Sequence, residues 1–165
     1  MARYRKPRSY TIDIGNGSFS GFSVQETRDI CQEAFDDISK VANVVFPHAN
    51  NDRAKIKIRF YDNVQMQKLG MNTWVALGLQ FRWGAAINSE RKIKRFQALA
   101  AVKHEVMHWM GMRHSNELDS VMHPTRSNPK MNATDRKLLT KRWGKNYREF
   151  WHTFPDGYKA LMREI

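Results

Sequence analysis

Residues 104–114 constrain this chain more than any other stretch, because they read H-E-x-x-H-x-x-G-x-x-H. On a helix, His104 and His108 lie one turn apart on the same face, so that two imidazoles can converge on one metal ion. Gly111 can adopt a positive φ, which ends the helix and lets the chain turn back with His114 as a third nitrogen ligand. The pattern therefore predicts a helix, a glycine break and a metal site with three histidine ligands.

The donor set also predicts what the metal does. Three protein ligands and an open fourth position are typical of a catalytic zinc ion, whereas structural zinc has four protein ligands. Glu105 lies beside the ligands, where it can take a proton from a water molecule that the metal activates. The simpler alternative is a histidine-rich surface helix. The full motif is far rarer by chance than H-E-x-x-H alone, so the sequence favours a catalytic site.

A methionine-containing turn follows, since residues 120–124 read S-V-M-H-P. The motif and this turn together resemble the metzincin zinc peptidases, and the spacing is most similar to the matrixins. As in matrixins, Ser115 follows the third histidine and Pro124 stands two residues after Met122. The resemblance implies that Met122 forms a hydrophobic floor beneath a single catalytic zinc ion in a Met-turn.

The sequence also departs from the matrixin pattern. His123 stands where matrixins usually have tyrosine. Because no histidine lies between His48 and His104, we expect no structural zinc site in that segment. Calcium sites are not expected either, because the same segment has only three carboxylates, which are Asp52, Asp62 and Glu90.

Length and composition indicate one globular domain, with 165 residues of which 41% are hydrophobic. We expect a matrixin-like peptidase domain at residues 1–144 and an aromatic, basic C-terminal extension at residues 145–165. Cys31 is the only cysteine, so an internal disulfide is excluded and a buried, inert thiol is expected. No apolar run is long enough to span a membrane, and no signal peptide is recognised. The sequence thus predicts synthesis in the cytoplasm, followed by release or by incorporation in a larger particle.

The formal net charge of +12 favours acidic partners of any kind. We expect a protein or peptide substrate, including acidic ones, and an assembly partner could dock on the basic N-terminus and the aromatic C-terminal tail. No recognition helix, zinc finger or RNA-binding signature is present, which disfavours specific nucleic-acid binding.

The pattern of helices and strands predicts an α+β fold, and the resemblance to metzincins implies the zincin type. Residues 8–14 alternate in polarity like a strand. Residues 23–40 read as an amphipathic helix that begins at Ser23 with a capping box to Glu26 and has Val24, Ile30, Ala34, Phe35 and Ile38 at helical spacing on its apolar face. Residues 41–46 and 54–60 read as strands. This order is that of the matrixin upper subdomain. Residues 61–77 are expected to form a loop. The whole would be a twisted mixed sheet of about five strands with two long helices and a small lower subdomain.

The substrate cleft is placed by the resemblance. Residues 78–83 would be the antiparallel edge strand along it, with residues 85–88 as the next strand, and an extended peptide would add to that edge. For Phe81 core packing competes with substrate contact, and for His123 a structural hydrogen bond in the turn is favoured. The candidate substrate contacts are Gly78, Leu79, Gln80, Phe81, His123 and Thr125.

The remaining segments complete the lower subdomain. The motif helix would begin near Lys94, with Phe96, Leu99, Val102 and Val106 on its apolar side. Residues 125–132 are irregular. The resemblance implies that this segment forms a wall of the pocket for the substrate residue just beyond the scissile bond. A last helix would begin at residues 132–135 and end at Gly144.

The leading hypothesis is a zinc metalloendopeptidase in which Glu105 is the general base. One alternative is a structural or attachment component of a larger viral or secretion assembly that retains a metzincin domain. A second is a nucleic-acid-binding protein with an incidental zinc site.

Overall fold

The computed structural model describes residues 5–49, 51–70 and 77–146. Within these residues helices and strands are mixed along the chain, which confirms the predicted α+β class. The strands are β1 (Arg8–Ser9), β2 (Ile12–Ile14), β3 (Val44–Val45), β4 (Ile56–Tyr61), β5 (Gly78–Phe81) and β6 (Gly84–Asn88). The helices are α1 (Val24–Val41), α2 (Asn63–Lys68), α3 (Arg95–Trp109) and α4 (Ala133–Trp143).

The sheet is mixed and ends at β5. Its main part has the order β2, β4, β6, β5, in which only β5 runs antiparallel to its neighbour. β1 pairs in parallel with β3. Main-chain bonds from Tyr10 N to Val45 O (3.0 Å) and from Ile12 N to Pro47 O (2.9 Å) continue that pairing into β2. The predicted strand at residues 8–14 is therefore one extended segment between β3 and β4. Its first part, β1, forms a two-stranded sheet with β3, and its second part, β2, belongs to the four-stranded sheet.

Helix α1 begins where the sequence predicts, because the Ser23 hydroxyl accepts a hydrogen bond from the Glu26 amide (3.0 Å). Its apolar face packs against α3 and carries Ile30, Ala34, Phe35 and Ile38, all buried. Cys31 lies in the same face with no exposed surface, and burial raises the pKa of its thiol to about 12. The expected burial of this thiol is confirmed, and a raised pKa disfavours the reactive thiolate.

Two predicted segments are wrong. The expected loop at residues 61–77 contains α2, which begins because Asp62 and Gln65 form a reciprocal capping box. Six residues are too few for helical periodicity to be visible in sequence. The strand expected at residues 41–46 is reduced to β3, because α1 continues through Val41.

Two residues assigned to apolar helix faces are exposed. Val24 is 42% and Phe96 is 47% exposed. Both lie in the first turn of their helices, and burial begins farther along, at Thr27 in α1 and at Ala98 in α3.

None of the described helices combines the length and the apolar character that a membrane crossing requires.

Asn146, the last described residue, is hydrogen-bonded to the C-terminal end of α1. The Asn146 amide donates to Val41 O (3.0 Å), and its side chain donates to Ser39 O (2.8 Å). The predicted extension thus begins with residues packed on the end of α1. Residues 147–165 and 1–4 lie outside the described residues, so the proposed domain boundary stays a prediction.

Candidate metal centre and cleft

Helix α3 carries the first two histidines of the motif. Because His104 and His108 are one turn apart, their rings meet with centroids 4.6 Å apart. The helix ends at Trp109, and Gly111 adopts a φ of 94°. A side chain at Gly111 would be strained by this φ, and its Cβ would lie 2.4 Å from the Arg142 guanidinium carbon. The predicted glycine break is therefore a conformational requirement.

The turn after Gly111 brings His114 back to the helix. The His114 ring lies 5.3 Å from that of His104 and 4.7 Å from that of His108, between centroids. One ring nitrogen or equivalent ligand atom from each of the three residues lies within 4.8 Å of the others. The structure therefore brings the predicted ligands to one point.

Hydrogen bonds fix the tautomer of two of these rings. His104 Nδ1 lies 2.7 Å from Val121 O, and His108 Nδ1 lies 2.8 Å from Met112 O. A carbonyl oxygen can only accept, so both Nδ1 atoms carry the proton. Each Nε2 keeps a lone pair for a metal ion, which is the arrangement that oriented zinc ligands use.

Burial keeps these imidazoles neutral. It lowers the pKa of His104 to about 4, and the hydrogen bond to Val121 O opposes this only in part. Burial also lowers the pKa of His108. Metal binding requires unprotonated imidazole, so protons do not compete for His104 at neutral pH. Donor type, tautomer and charge state therefore all fit zinc.

Glu105 lies beside the three histidines and lines the same cleft. Its side chain is 8% exposed, and burial raises the pKa of its carboxyl to about 7. Gly78 of β5 stands against it, since a Cβ at Gly78 would lie 3.2 Å from Glu105 Cγ. Glu105 therefore has the position and the proton affinity that a base near neutral pH requires.

The predicted methionine turn adjoins the histidine motif, because Val121 O lies 2.7 Å from His104 Nδ1. Met122 is fully buried, and its carbonyl accepts from the Ser115 amide (3.0 Å). Pro124 is exposed and lines the cleft.

Asp135 of α4 holds the turn, and sequence reasoning did not find this role. It is 2% exposed and accepts from Ser120 Oγ (2.6 Å), Val121 N (2.9 Å) and Asn132 N (3.1 Å). The available signal was an acid three residues after Asn132, which predicted a helix start and not a contact with the turn.

The cleft has a volume of about 510 Å³ and passes over the histidines. The predicted substrate contacts Gly78, Leu79 and Gln80 line its upper side. β5 is the last strand of the sheet, and in the described part of the chain no strand pairs with its outer edge. Phe81 does not line the cleft and stacks on Trp83 with ring centroids 5.2 Å apart, so core packing is favoured for it.

His123 and Thr125 line the lower side of the cleft. His123 Nδ1 accepts from the amides of Thr125 (3.2 Å) and Arg126 (3.1 Å). The expected structural hydrogen bond in the turn is therefore present. His123 is nevertheless half-buried at the cleft surface, where it can also contact a ligand.

Lys103 is a second residue that sequence reasoning missed. It is 4% exposed, and its ammonium contacts Asp37 Oδ2 of α1 (2.5 Å) and the Pro129 carbonyl. It thereby links α1 to residues 125–132. A lysine among the apolar residues of α3 was the only signal, and it does not name a partner.

Comparison with known families gives one match. The family model described as matrixin matches residues 3–141. No curated protein matches the chain. The match includes the histidines, Glu105 and the methionine turn.

Proposed function

The chain belongs to the matrixin family of zinc-dependent metallopeptidases, and from this premise we propose that it is an endopeptidase that hydrolyses extended protein substrates. One observation carries the proposal. Three converging histidines, two of them with the lone pair of Nε2 free, lie beside a buried glutamate in an open cleft.

The proposed ligands are His104, His108 and His114, and one zinc ion is proposed. When bound, zinc polarises the substrate carbonyl and lowers the pKa of a water molecule. The main-chain carbonyls of Val121 and Met112 keep two of the ligand rings oriented. Met122, which is fully buried in the methionine turn, is the proposed apolar floor beneath the metal.

Glu105 is the proposed general base. In the metal-free protein, burial raises the pKa of its carboxyl to about 7, and a proton affinity near neutral pH is what a group that accepts and releases a proton needs. Its carboxylate would take the proton of the attacking water and pass it to the leaving amine nitrogen. Because Gly78 presents no side chain there, β5 approaches the base closely.

The outer edge of β5 is the proposed binding site for the substrate main chain. An extended peptide would add as a strand along Gly78, Leu79 and Gln80, and would pair with the amide and carbonyl groups there that point away from β6. Backbone pairing does not depend on side-chain identity, so it favours unfolded or extended chains over compact ones.

Metal analysis combined with digestion of a peptide library tests the proposal. We expect one zinc ion per chain and cleavage that a chelator abolishes. Glu105→Gln should keep the zinc and lower kcat by about 10²–10⁴-fold, the usual contribution of a general base. Glu26→Gln, the same change at an exposed residue of α1, is the control and should keep both. A fully active Glu105→Gln protein would contradict the assigned role.

The attachment and nucleic-acid hypotheses remain open to direct tests. The first draws on the basic N-terminus and the aromatic tail, most of which lies outside the described residues. Elution as a monomer with metal-dependent proteolysis would remove its motivation. The nucleic-acid hypothesis requires binding that persists at physiological salt.

A further inference from the structure

The cleft carries part of the positive charge of the chain. Among the residues that line it, Arg91 and Lys92 come from the segment between β6 and α3, and Arg126 comes from the segment after the methionine turn. All three are exposed. They approach the cleft from two different segments, so the charge belongs to the cleft and not to one stretch of sequence.

These three cations have no ion-pair partner among the residues that the structure describes. The ion pairs there use Lys40, Arg59, Arg95 and Lys103. Asp and Glu are also absent from residues 71–76, which precede β5. The charges at the cleft are therefore available to a ligand.

Only one acidic residue, Glu105, lines the described cleft. Its carboxyl is buried beside the histidines and is the proposed general base. The same cleft is also lined by small or apolar residues of α3 and the turn, including Ala100, Ala101 and Val121. Among the described residues, an acidic substrate side chain in the cleft therefore meets no carboxylate other than that of Glu105.

We infer that the cleft selects peptide substrates with aspartate or glutamate side chains close to the scissile bond. This inference rests on the proposed peptidase function and names its substrate class. The observation that carries it is a set of three cations, Arg91, Lys92 and Arg126, that have no ion-pair partner among the described residues and line a cleft in which Glu105 is the only acid that the structure describes.

The expected size of the preference follows from surface electrostatics. An exposed ion pair changes an equilibrium constant by up to about fivefold, so two or three such contacts give roughly tenfold. The distance over which charges are screened falls from about 8 Å at physiological ionic strength to about 3 Å at 1 M salt. Added salt should therefore remove most of the preference. A salt-dependent preference of about this size is the expected signature.

The test uses the full-length, zinc-loaded protein. After one cleaved peptide has been found by mass spectrometry, fluorogenic versions of it are made with Asp or Asn, and with Glu or Gln, at each of the three positions on either side of the scissile bond. At 50 mM NaCl we expect roughly tenfold higher kcat/KM for the acidic member at one or more positions, and about twofold in 0.5 M NaCl.

Charge reversal locates the preference. Arg126→Glu and Lys92→Glu should each lower the ratio of kcat/KM for the acidic peptide to that for its neutral partner by about fivefold. Lys137→Glu is the matched control, because it makes the same change of charge at an exposed residue of α4 outside the cleft and should leave the ratio unchanged. Zinc content and thermal unfolding verify that each variant is folded. If one of the two cleft variants fails to fold, the other one is enough for the test.

A binding measurement separates the inference from the proposed function. Fluorescence anisotropy of the same peptides on the zinc-loaded Glu105→Gln protein should show the same acidic preference without cleavage. Equal kcat/KM for both members of every pair at low salt would overturn the inference and leave the peptidase assignment intact. Equal effects of Lys137→Glu and Arg126→Glu, or tighter binding of a single-stranded oligonucleotide than of the acidic peptide in 0.15 M NaCl, would also overturn it. If no peptide of the library is cleaved, anisotropy is measured instead with labelled library peptides in Asp/Asn and Glu/Gln pairs. An acidic preference seen there means that the peptidase function alone fails.

Discussion

The two walls of the cleft are built in different ways. The upper wall, β5, is held by main-chain pairing with β6, in a register that runs from Gly78 opposite Ile87 to Phe81 opposite Gly84. The lower wall, residues 120–132, has no helix or strand. Buried side chains from other elements hold it instead, chiefly Asp135 and Lys103. The position of the upper wall therefore depends on backbone geometry, whereas that of the lower wall depends on a few side chains.

The difference extends to the catalytic groups. Glu105 lies against the upper wall at Gly78, while His104 donates its Nδ1 proton to Val121 O of the lower wall. Substitutions in the lower wall should therefore affect metal binding and stability. Substitutions in the upper wall should act mainly through the base.

Asp135→Ala should have the largest effect, because it removes the acceptor that fixes the lower wall. The Val121 amide and the Ser120 hydroxyl, both buried, would lose their partner, which costs about 1–3 kcal/mol for each buried group left unsatisfied. We expect the free energy of unfolding to fall by about 3–4 kcal/mol in urea denaturation, with weaker zinc binding. Asp135→Asn keeps an acceptor and should cost less than half of that. Equal losses in both variants would show that charge, and not hydrogen bonding, holds the wall.

The metal-free protein should show the burial of Glu105 as a pH dependence. Burial raises the pKa of this carboxyl from 4.5 to about 7, so the folded state binds its proton more tightly than the unfolded state. The contribution to stability is therefore full below pH 4.5 and is lost as the pH rises to about 7. Glu105→Gln should be as stable as the native sequence at pH 5 and more stable by about 2–3 kcal/mol at pH 8, measured with chelator present. A difference that does not change with pH would contradict the buried position.

Lys103→Met should have an intermediate effect on the lower wall. The substitution keeps the aliphatic stem and removes the ammonium that joins Asp37 to the Pro129 carbonyl. Asp37 is 26% exposed, so water compensates in part and we expect a loss of about 1–2 kcal/mol. Lys40 contacts the same carboxylate (3.7 Å) but is 65% exposed, so Lys40→Met should cost less than about 0.5 kcal/mol. Chemical denaturation of both variants measures the two losses of unfolding free energy. Equal losses would show that Lys103 does not stabilise the lower wall more than an exposed lysine does.

Gly78→Ala should have the smallest effect on stability and act on activity instead. The added methyl would lie 2.9 Å from Ile87 Cδ1, 3.0 Å from Ala86 O and 3.2 Å from Glu105 Cγ, so both the Ile87 side chain and the base must shift by a few tenths of an ångström. We expect kcat to fall by about tenfold, with the free energy of unfolding lower by less than about 1 kcal/mol. Gln80→Ala, at an exposed residue of the same strand, should leave stability within about 0.5 kcal/mol. An unchanged kcat would show that β5 does not position the base.

The sequence predicts what is local in this molecule. The spacing of His104 and His108, the glycine at 111 and the cap at Ser23 each act within a few residues, and each is found where it was expected. The antiparallel edge strand was also expected, but only through the resemblance of residues 104–124 to a known family.

Contacts between distant residues could not be predicted in this way. Asp37 and Lys103 belong to different helices, and Asp135 reaches a turn that precedes its own helix. No periodic pattern connects such pairs, and a single sequence does not reveal that two polar residues share a buried contact. The lower wall, which depends on these pairs, was therefore the part of the site that sequence analysis described least.

The acceptors that orient His104 and His108 are peptide carbonyls. Every amino acid carries that group, so a codon change at position 121 or 112 replaces a side chain and leaves the acceptor in place. Mutation can disturb these two rings only by displacing the chain that surrounds them. Substitutions at these two flanking positions therefore leave the orientation of both ligands intact. The side chains around the cleft can vary in evolution while the geometry of the metal centre is kept.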